Sequence, residues 1–194
     1  MAVTLPTWVP EIETKPAPMP LLLVQSFVNT YEADTGVDLL EDLDTGRSWL
    51  TEAGLLDGVP LTAAELESAR DVRESIRALL VHNGGGDSPT HGQLEPLRAL
   101  AAASRFRPLV RDEGLIDLSA EIGTESVRLT DLILITRDAQ RDGSWKRLKA
   151  CRNDECLWAF YDRSHAGRGA WCDMATCGNR IKNRKLRSRR SSLA

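Results

Sequence analysis

Long apolar runs, N-terminal cations and catalytic signatures are what this 194-residue chain has least of. Near its start the longest apolar stretch, Pro20 to Val24, falls far short of the roughly 20 residues of a membrane span. Glu11 and Glu13 precede that stretch and Lys15 is the only cation before it, so the basic region of a signal peptide is missing. Export and membrane insertion are therefore not expected, and a cytoplasmic chain is, where reducing thiol pools keep cysteines from pairing. Gly-x-Ser-x-Gly, His-Glu-x-x-His and the dinucleotide fingerprint are all lacking, and Gly84-Gly85-Gly86 is not followed by Gly-Lys-Ser/Thr. These absences argue against an enzyme. With 42% hydrophobic and 27% charged residues, a collagen-like, coiled-coil or wholly disordered chain is excluded as well.

Charge of one sign is scarce in each part of the chain. The net charge of −3 averages a balance of −12 over residues 1–140 and +9 over residues 141–194. That asymmetry predicts an acidic domain followed by a small basic module. Residues 1–20, with Pro6, Pro10, Pro16 and Pro18 and no period, read as an extended leader. Residues 21–140 read as mainly α. Helices are expected over about Leu21–Glu32, Val37–Ala53 (with Gly46 a possible break), Thr62–Val81, Gln93–Ser104 and Glu125–Gln140. The clearest start is Thr62 with Glu65 three residues later, a capping box flanked by Leu61 and Leu66. Arg107–Arg111 and Leu115–Ala120, joined through Asp112-Glu113-Gly114, predict one short β-hairpin.

All four cysteines lie within 27 residues, as Cys151-x4-Cys156-x15-Cys172-x4-Cys177. Two short arcs that each present two sulfurs suit one tetrahedral zinc ion, and four thiolates leave no open position for a catalytic water. Residues 141–194 are read as a small α+β module, within which residues 151–194 form a 44-residue unit near the lower size limit for unaided folding. A structural zinc there supplies roughly 10–16 kcal/mol of apparent binding energy. Two disulfides or an iron or iron–sulfur site are the alternatives. His165 is not needed as a ligand while four cysteines are present.

Aromatics are few, ten in all, and four of them, Trp158, Phe160, Tyr161 and Trp171, fall between the cysteine pairs. They read as cover for the metal or, alternatively, as a base-stacking platform. After Cys177 come Arg180, Lys182, Arg184, Lys185, Arg187, Arg189 and Arg190, seven cations in eleven residues with no acid among them. A zinc–tetrathiolate centre has a formal charge of −2, which seven cations overshoot, so phosphate contact is the functional reading. A solvated tail is the plain one. Asn29 and Arg73 are polar groups on apolar helical faces, read either as a buried hydrogen bond and ion pair or as ligand recognition in a helical cavity.

The segment Cys177-Gly178-Asn179-Arg180, with Cys151-x4-Cys156-x-Trp158-x-Phe160-x-Asp162-x-Ser164 and Trp171-Cys172-x-Met174 before it, resembles bacterial proteins that join an ABATE domain to a C-terminal CGNR zinc finger. Phe27-Val28-Asn29-Thr30, Ser48-Trp49-Leu50 and Val72-Arg73-Glu74 are similar to landmarks of the same family. The resemblance implies a transcription regulator whose finger binds DNA and whose helical domain senses a ligand or partner, acting in the cytoplasm at the nucleoid. One departure is Gly169-Ala170, where the family has basic residues before Trp-Cys. The other readings are an RNA-binding or protein-interaction module with purely structural zinc, and an enzyme using a cavity of the helical domain.

Overall fold

The computed structural model describes residues 5–56, 58, 60–120, 127–182 and 184. Helix α1 (Leu21–Val28) is buried on every side except at Leu23, as befits a helix that is apolar nearly all round. It ends four residues short of the expected boundary. Tyr31 opens a hairpin of β1 (Tyr31–Glu32) and β2 (Val37–Asp38) instead of a further turn. Helix α2 (Leu43–Glu52) starts at Asp42, whose carboxylate accepts from the amides of Asp44 and Thr45 at 2.9 Å. Gly46 does not break it. A Cβ there would come within 2.7 Å of a Leu66 methyl, so the glycine lets two helices approach closely.

Helix α3 (Ala63–Asn83) is the longest element and begins with the expected Thr62/Glu65 capping box. A second box, Thr90 with Gln93, starts α4 (His91–Ala103) two residues before its expected position. The hairpin follows as β3 (Phe106–Val110) and β4 (Ile116–Ala120), antiparallel with Val110 opposite Ile116. Its pairs Phe106–Ala120, Pro108–Leu118 and Val110–Ile116 share one apolar face. Helix α5 (Leu129–Asp142) closes on Gly143, whose φ of +83° suits a glycine C-cap. The expected start of this helix at Glu125 lies outside the described residues.

A 3₁₀ turn (Ser144–Arg147) leads into β5 (Leu148–Ala150), which pairs antiparallel with β6 (Ala159–Tyr161). Leu148, Ala150, Ala159 and Trp145 belong to the same hydrophobic core as α1, α3 and α5. The boundary near residue 140 seen in the charge balance is thus no boundary in packing. The leader differs from expectation too. Val9, Glu13 and Ala17 are buried, and the Lys15 carbonyl accepts from the Tyr161 amide at 2.9 Å, which lays the leader against β6. Gln25 on α1 clamps it by accepting from the Ala17 amide and donating to the Lys15 carbonyl.

Candidate metal centre

The β5–β6 hairpin carries the first cysteine pair in its connecting loop. The Cys151 amide donates to the Trp158 carbonyl at 2.9 Å, closing the loop, while the Asn153 carbonyl accepts from the amides of Cys156 and Leu157. This folds the x4 arc back on itself so that both sulfurs point to one side. Leu157 pays for the tight turn with a φ of +52°, rare for a branched residue. Its carbonyl is held by the Arg77 guanidinium of α3 at 3.1 Å. In the second pair, Cys172 precedes and Cys177 lies within a helical turn (Met174–Gly178) capped by Asp173, which accepts from the amides of Ala175 and Thr176.

The four sulfurs lie within 4.8 Å of one another and no disulfide forms among them. Cys156 and Cys172 are 3.6 Å apart, Cys172 and Cys177 3.8 Å. A zinc ion with Zn–S bonds of about 2.3 Å sets tetrahedral edges of ~3.8 Å. The donor set and its spacing fit one structural zinc ion, and four sulfurs complete its coordination.

The close packing of the sulfurs splits the acidities of the thiols. The Cys151 thiol is held down to about 2 by S–H donation from Cys156 and Cys172, with help from the amides of Asn153 and Cys172. Its thiolate pushes the Cys156 thiol up to about 12, and the Cys172 thiol higher still. A divalent ion would remove this split by stabilising all four thiolates together. Asn153, fully buried, supports the arrangement by directing its Nδ2 at the Cys177 sulfur at 3.8 Å.

The aromatics between the pairs divide by burial. Trp158 and Phe160 are buried, while Tyr161 and Trp171 are half-buried. Trp158 and Trp171 pack on the cysteines, which favours cover over base stacking. Among the expected nucleic-acid contacts, Arg180, Lys182 and Arg184 are exposed, the chain being α-helical at 179–182. Arg184 makes a 2.7 Å ion pair with Glu155 in the first cysteine loop. Lys185, Arg187, Arg189 and Arg190 lie outside the described residues. His165 is exposed.

Asn29 and Arg73 are not brought together with the metal centre as a ligand site; each has internal partners. The Asn29 amide exchanges two hydrogen bonds with the backbone of Ala159, at 2.7 and 2.9 Å, and also donates to Glu13. Arg73 grips Asp38 with two nitrogens, at 2.6 and 2.9 Å, and reaches Thr30 and Glu74. Burial opposes ionisation of Asp38, but Arg73 outweighs it and keeps that carboxyl below its ordinary range. Both contacts favour the hydrogen-bond and ion-pair reading.

Several supporting residues were not singled out from the sequence. Lys149 and Asp162 form a buried ion pair of 2.8 Å beneath the segment that links the cysteine pairs. The ammonium also donates to the Gly167 carbonyl, and Asp162 accepts from the amides of Ser164 and Gly169. Burial works against the Asp162 charge, yet these donors hold its carboxyl well below the usual range. Gly169 has a physical reason: a Cβ there would lie 2.8 Å from the Asp162 carboxylate. Glu13 is buried and accepts from the Trp158 indole at 3.1 Å. Burial raises its pKa despite the donors around it. The only signal for Asp162 was its place in the signature Trp158-x-Phe160-x-Asp162-x-Ser164.

Two family models match. One, described as "Putative stress-induced transcription regulator" and named ABATE, covers residues 22–139; the other, the CGNR zinc finger, covers residues 147–190. The chain belongs to the ABATE family. A search of curated proteins gave no match. The two matched segments of this ABATE protein meet along α3. Besides Arg77, Asn83 donates to the carbonyls of Trp145 and Leu148, and the Arg152 guanidinium donates to the Gly84 carbonyl at 2.5 Å.

Proposed function

We propose that this protein is a DNA-binding transcription regulator rather than an enzyme, in which Cys151, Cys156, Cys172 and Cys177 hold one structural zinc and the basic segment beginning at Arg180 contacts duplex phosphates. The observation that carries the reading is the continuity of the second cysteine pair with that segment. The helical turn containing Cys177 runs directly into residues 179–182, so the metal fixes where Arg180, Lys182 and Arg184 are presented. Lys185, Arg187, Arg189 and Arg190 extend the same run of charge in sequence. The family description supports regulation of transcription. No described helix is long and apolar enough to cross a membrane, in keeping with a cytoplasmic, nucleoid-associated protein. The burial of Trp158 and Phe160 leaves little aromatic surface for single-stranded RNA.

The helical domain supplies regulation under this reading. Arg77, Asn83 and the Gly84 carbonyl tie α3 to the cysteine loop and β5, so a shift of α3 carries to the metal centre. A typical coupling of that kind is worth about 1–3 kcal/mol, or roughly 5–150-fold in affinity.

The test is duplex binding by the intact, zinc-loaded chain, followed by fluorescence anisotropy across a salt series. Affinity should fall by about 0.9 log units per log unit of salt for each phosphate neutralised. The triple variant Arg180→Gln, Lys182→Gln, Arg184→Gln should keep its zinc and show a shallower slope. An unchanged slope places the contact elsewhere, and tighter binding to single-stranded RNA than to duplex refutes the DNA reading.

A further inference from the structure

Helix α4 lies over the body of the molecule and lines three cavities, two of which differ sharply in charge. The larger, about 730 Å³, is lined by Glu65, Glu67, Asp71 and Glu95 among small and apolar groups. The other, about 320 Å³, lies between α3, α4 and α5 and has no acidic residue in its lining. Ile76, Leu132 and Thr136 are its buried members, and Leu79, Leu97 and Ile133 its half-buried walls. Its only charged residues are Arg98 and Arg137. In a domain whose balance is −12, an apolar cavity bordered by two arginines and no acid is against the prevailing field.

Two further features mark it as a ligand cavity. Arg98 donates to the His91 carbonyl at 3.1 Å and has no acidic partner among the described residues, whereas Arg137 is paired with Asp138. Thr136, 8% exposed, has a buried hydroxyl with no hydrogen-bond partner. A helical threonine ordinarily satisfies that hydroxyl on the carbonyl one turn earlier. Leaving it bare forfeits the hydration of the hydroxyl without replacement, a deficit that an incoming polar group removes. The volume is at the lower end of ligand cavities, roughly 300–1,000 Å³, which suits a small molecule and not a peptide or large cofactor.

We propose that this cavity binds a small amphipathic monocarboxylate, its hydrocarbon body against Leu79, Leu97 and Leu132, its carboxylate drawn by Arg98 and Arg137, with Thr136 as an additional donor. On the regulatory reading above, on which only this step rests, that molecule is the effector. It binds against α3, the element joined to the cysteine loop through Arg77, so occupancy has a path to the metal centre.

The experiment titrates the zinc-loaded full chain with sodium octanoate, 1-octanol and octylamine, followed by amide resonances and calorimetry without DNA. Octanoate should bind about tenfold or more tightly than octylamine, as expected of charge-assisted contacts. Arg98→Gln should weaken octanoate about tenfold and leave octanol unchanged. Thr136→Val should weaken octanoate yet hold or raise the melting temperature, an outcome a merely structural threonine would not give. Leu97→Trp, which fills the cavity, should abolish binding with zinc retained. Equal binding of octylamine, unaltered octanoate binding by Leu97→Trp, or no binding of octanoate overturns the site. The effector step is read separately, as a change of at least about fivefold in duplex affinity on adding octanoate. Octanoate binding with unchanged duplex affinity overturns that step alone, whereas a chain that binds octanoate but no duplex overturns the regulator reading and leaves the site standing.

Discussion

At the scale of single residues, the metal centre depends on groups that never touch the metal. Asp162 and Lys149 are each buried, so removing one leaves the other as an unpaired charge. Asp162→Asn should cost about 3–5 kcal/mol in urea unfolding of the zinc-loaded protein. Adding Lys149→Met should recover part of that loss, because no buried ammonium then remains. The pH dependence has a definite sign. The Asp162 pKa is depressed in the folded protein, so its stabilisation is fully present above the unfolded value near ~3.9 and is lost as pH falls towards the folded value. Glu13 works the other way: its pKa is raised, so it destabilises the fold increasingly as pH climbs from its unfolded to its folded value. Gly169→Ala should also destabilise, by about 1–3 kcal/mol, since the added methyl meets a carboxylate that Lys149 holds in place. A variant as stable as the parent would show that the linking segment gives way freely.

At the scale of elements, the parts that were legible in the sequence are those whose signals are local. Thr62 and Glu65 mark the start of α3 because a capping box is complete within four residues. The Thr90–Gln93 box is equally local, and it starts α4 two residues ahead of the position expected from apolar periodicity. The overextension of α1 has another origin. Leu23, Phe27 and Tyr31 keep helical spacing, but Arg77 takes the Val28 carbonyl at 2.7 Å and Tyr31 pairs with Asp38. The first comes from a distant part of the chain and the second from the neighbouring strand of a hairpin, and helical periodicity carries no trace of either. The same holds for the leader, which α1 and β6 order through Gln25 and the Tyr161 amide. For the site, four sulfurs in one place follow from spacing, and Asp162 is marked only by its place in the signature, whereas Lys149 and Glu13 become visible only once strands are paired. One element-level prediction concerns Glu155, which shares the cysteine loop and pairs with Arg184. An exposed pair is worth about 0–1 kcal/mol, so Glu155→Gln should leave stability nearly unchanged and raise duplex affinity up to a few-fold. A drop in affinity would mean that Glu155 positions Arg184 for binding.

At the scale of the whole molecule, the two family segments share a core and a hydrogen-bonded seam, so metal loss should not stay local. Leu157, Trp158 and Ala159 are bonded to Arg77, Glu13 and Asn29, respectively. Stripping zinc with a chelator should lower the melting temperature of the entire chain in one transition, and Cys156→Ser should do the same. Two separate transitions, with the helical part unmoved, would show that the seam transmits nothing. The placement of the tryptophans gives this event an optical signature. Trp158 and Trp171 pack against the four sulfurs, whereas Trp8 and Trp49 lie together outside that cluster, the Trp49 indole donating to the Trp8 carbonyl. Sulfur quenches indole emission according to its proximity and charge, so release of the ion should alter the fluorescence of the first two and leave the second two as an internal reference. Trp158→Phe should suppress most of the change, and the stopped-flow trace after chelator addition would then time the departure of the metal against the loosening of the fold around it.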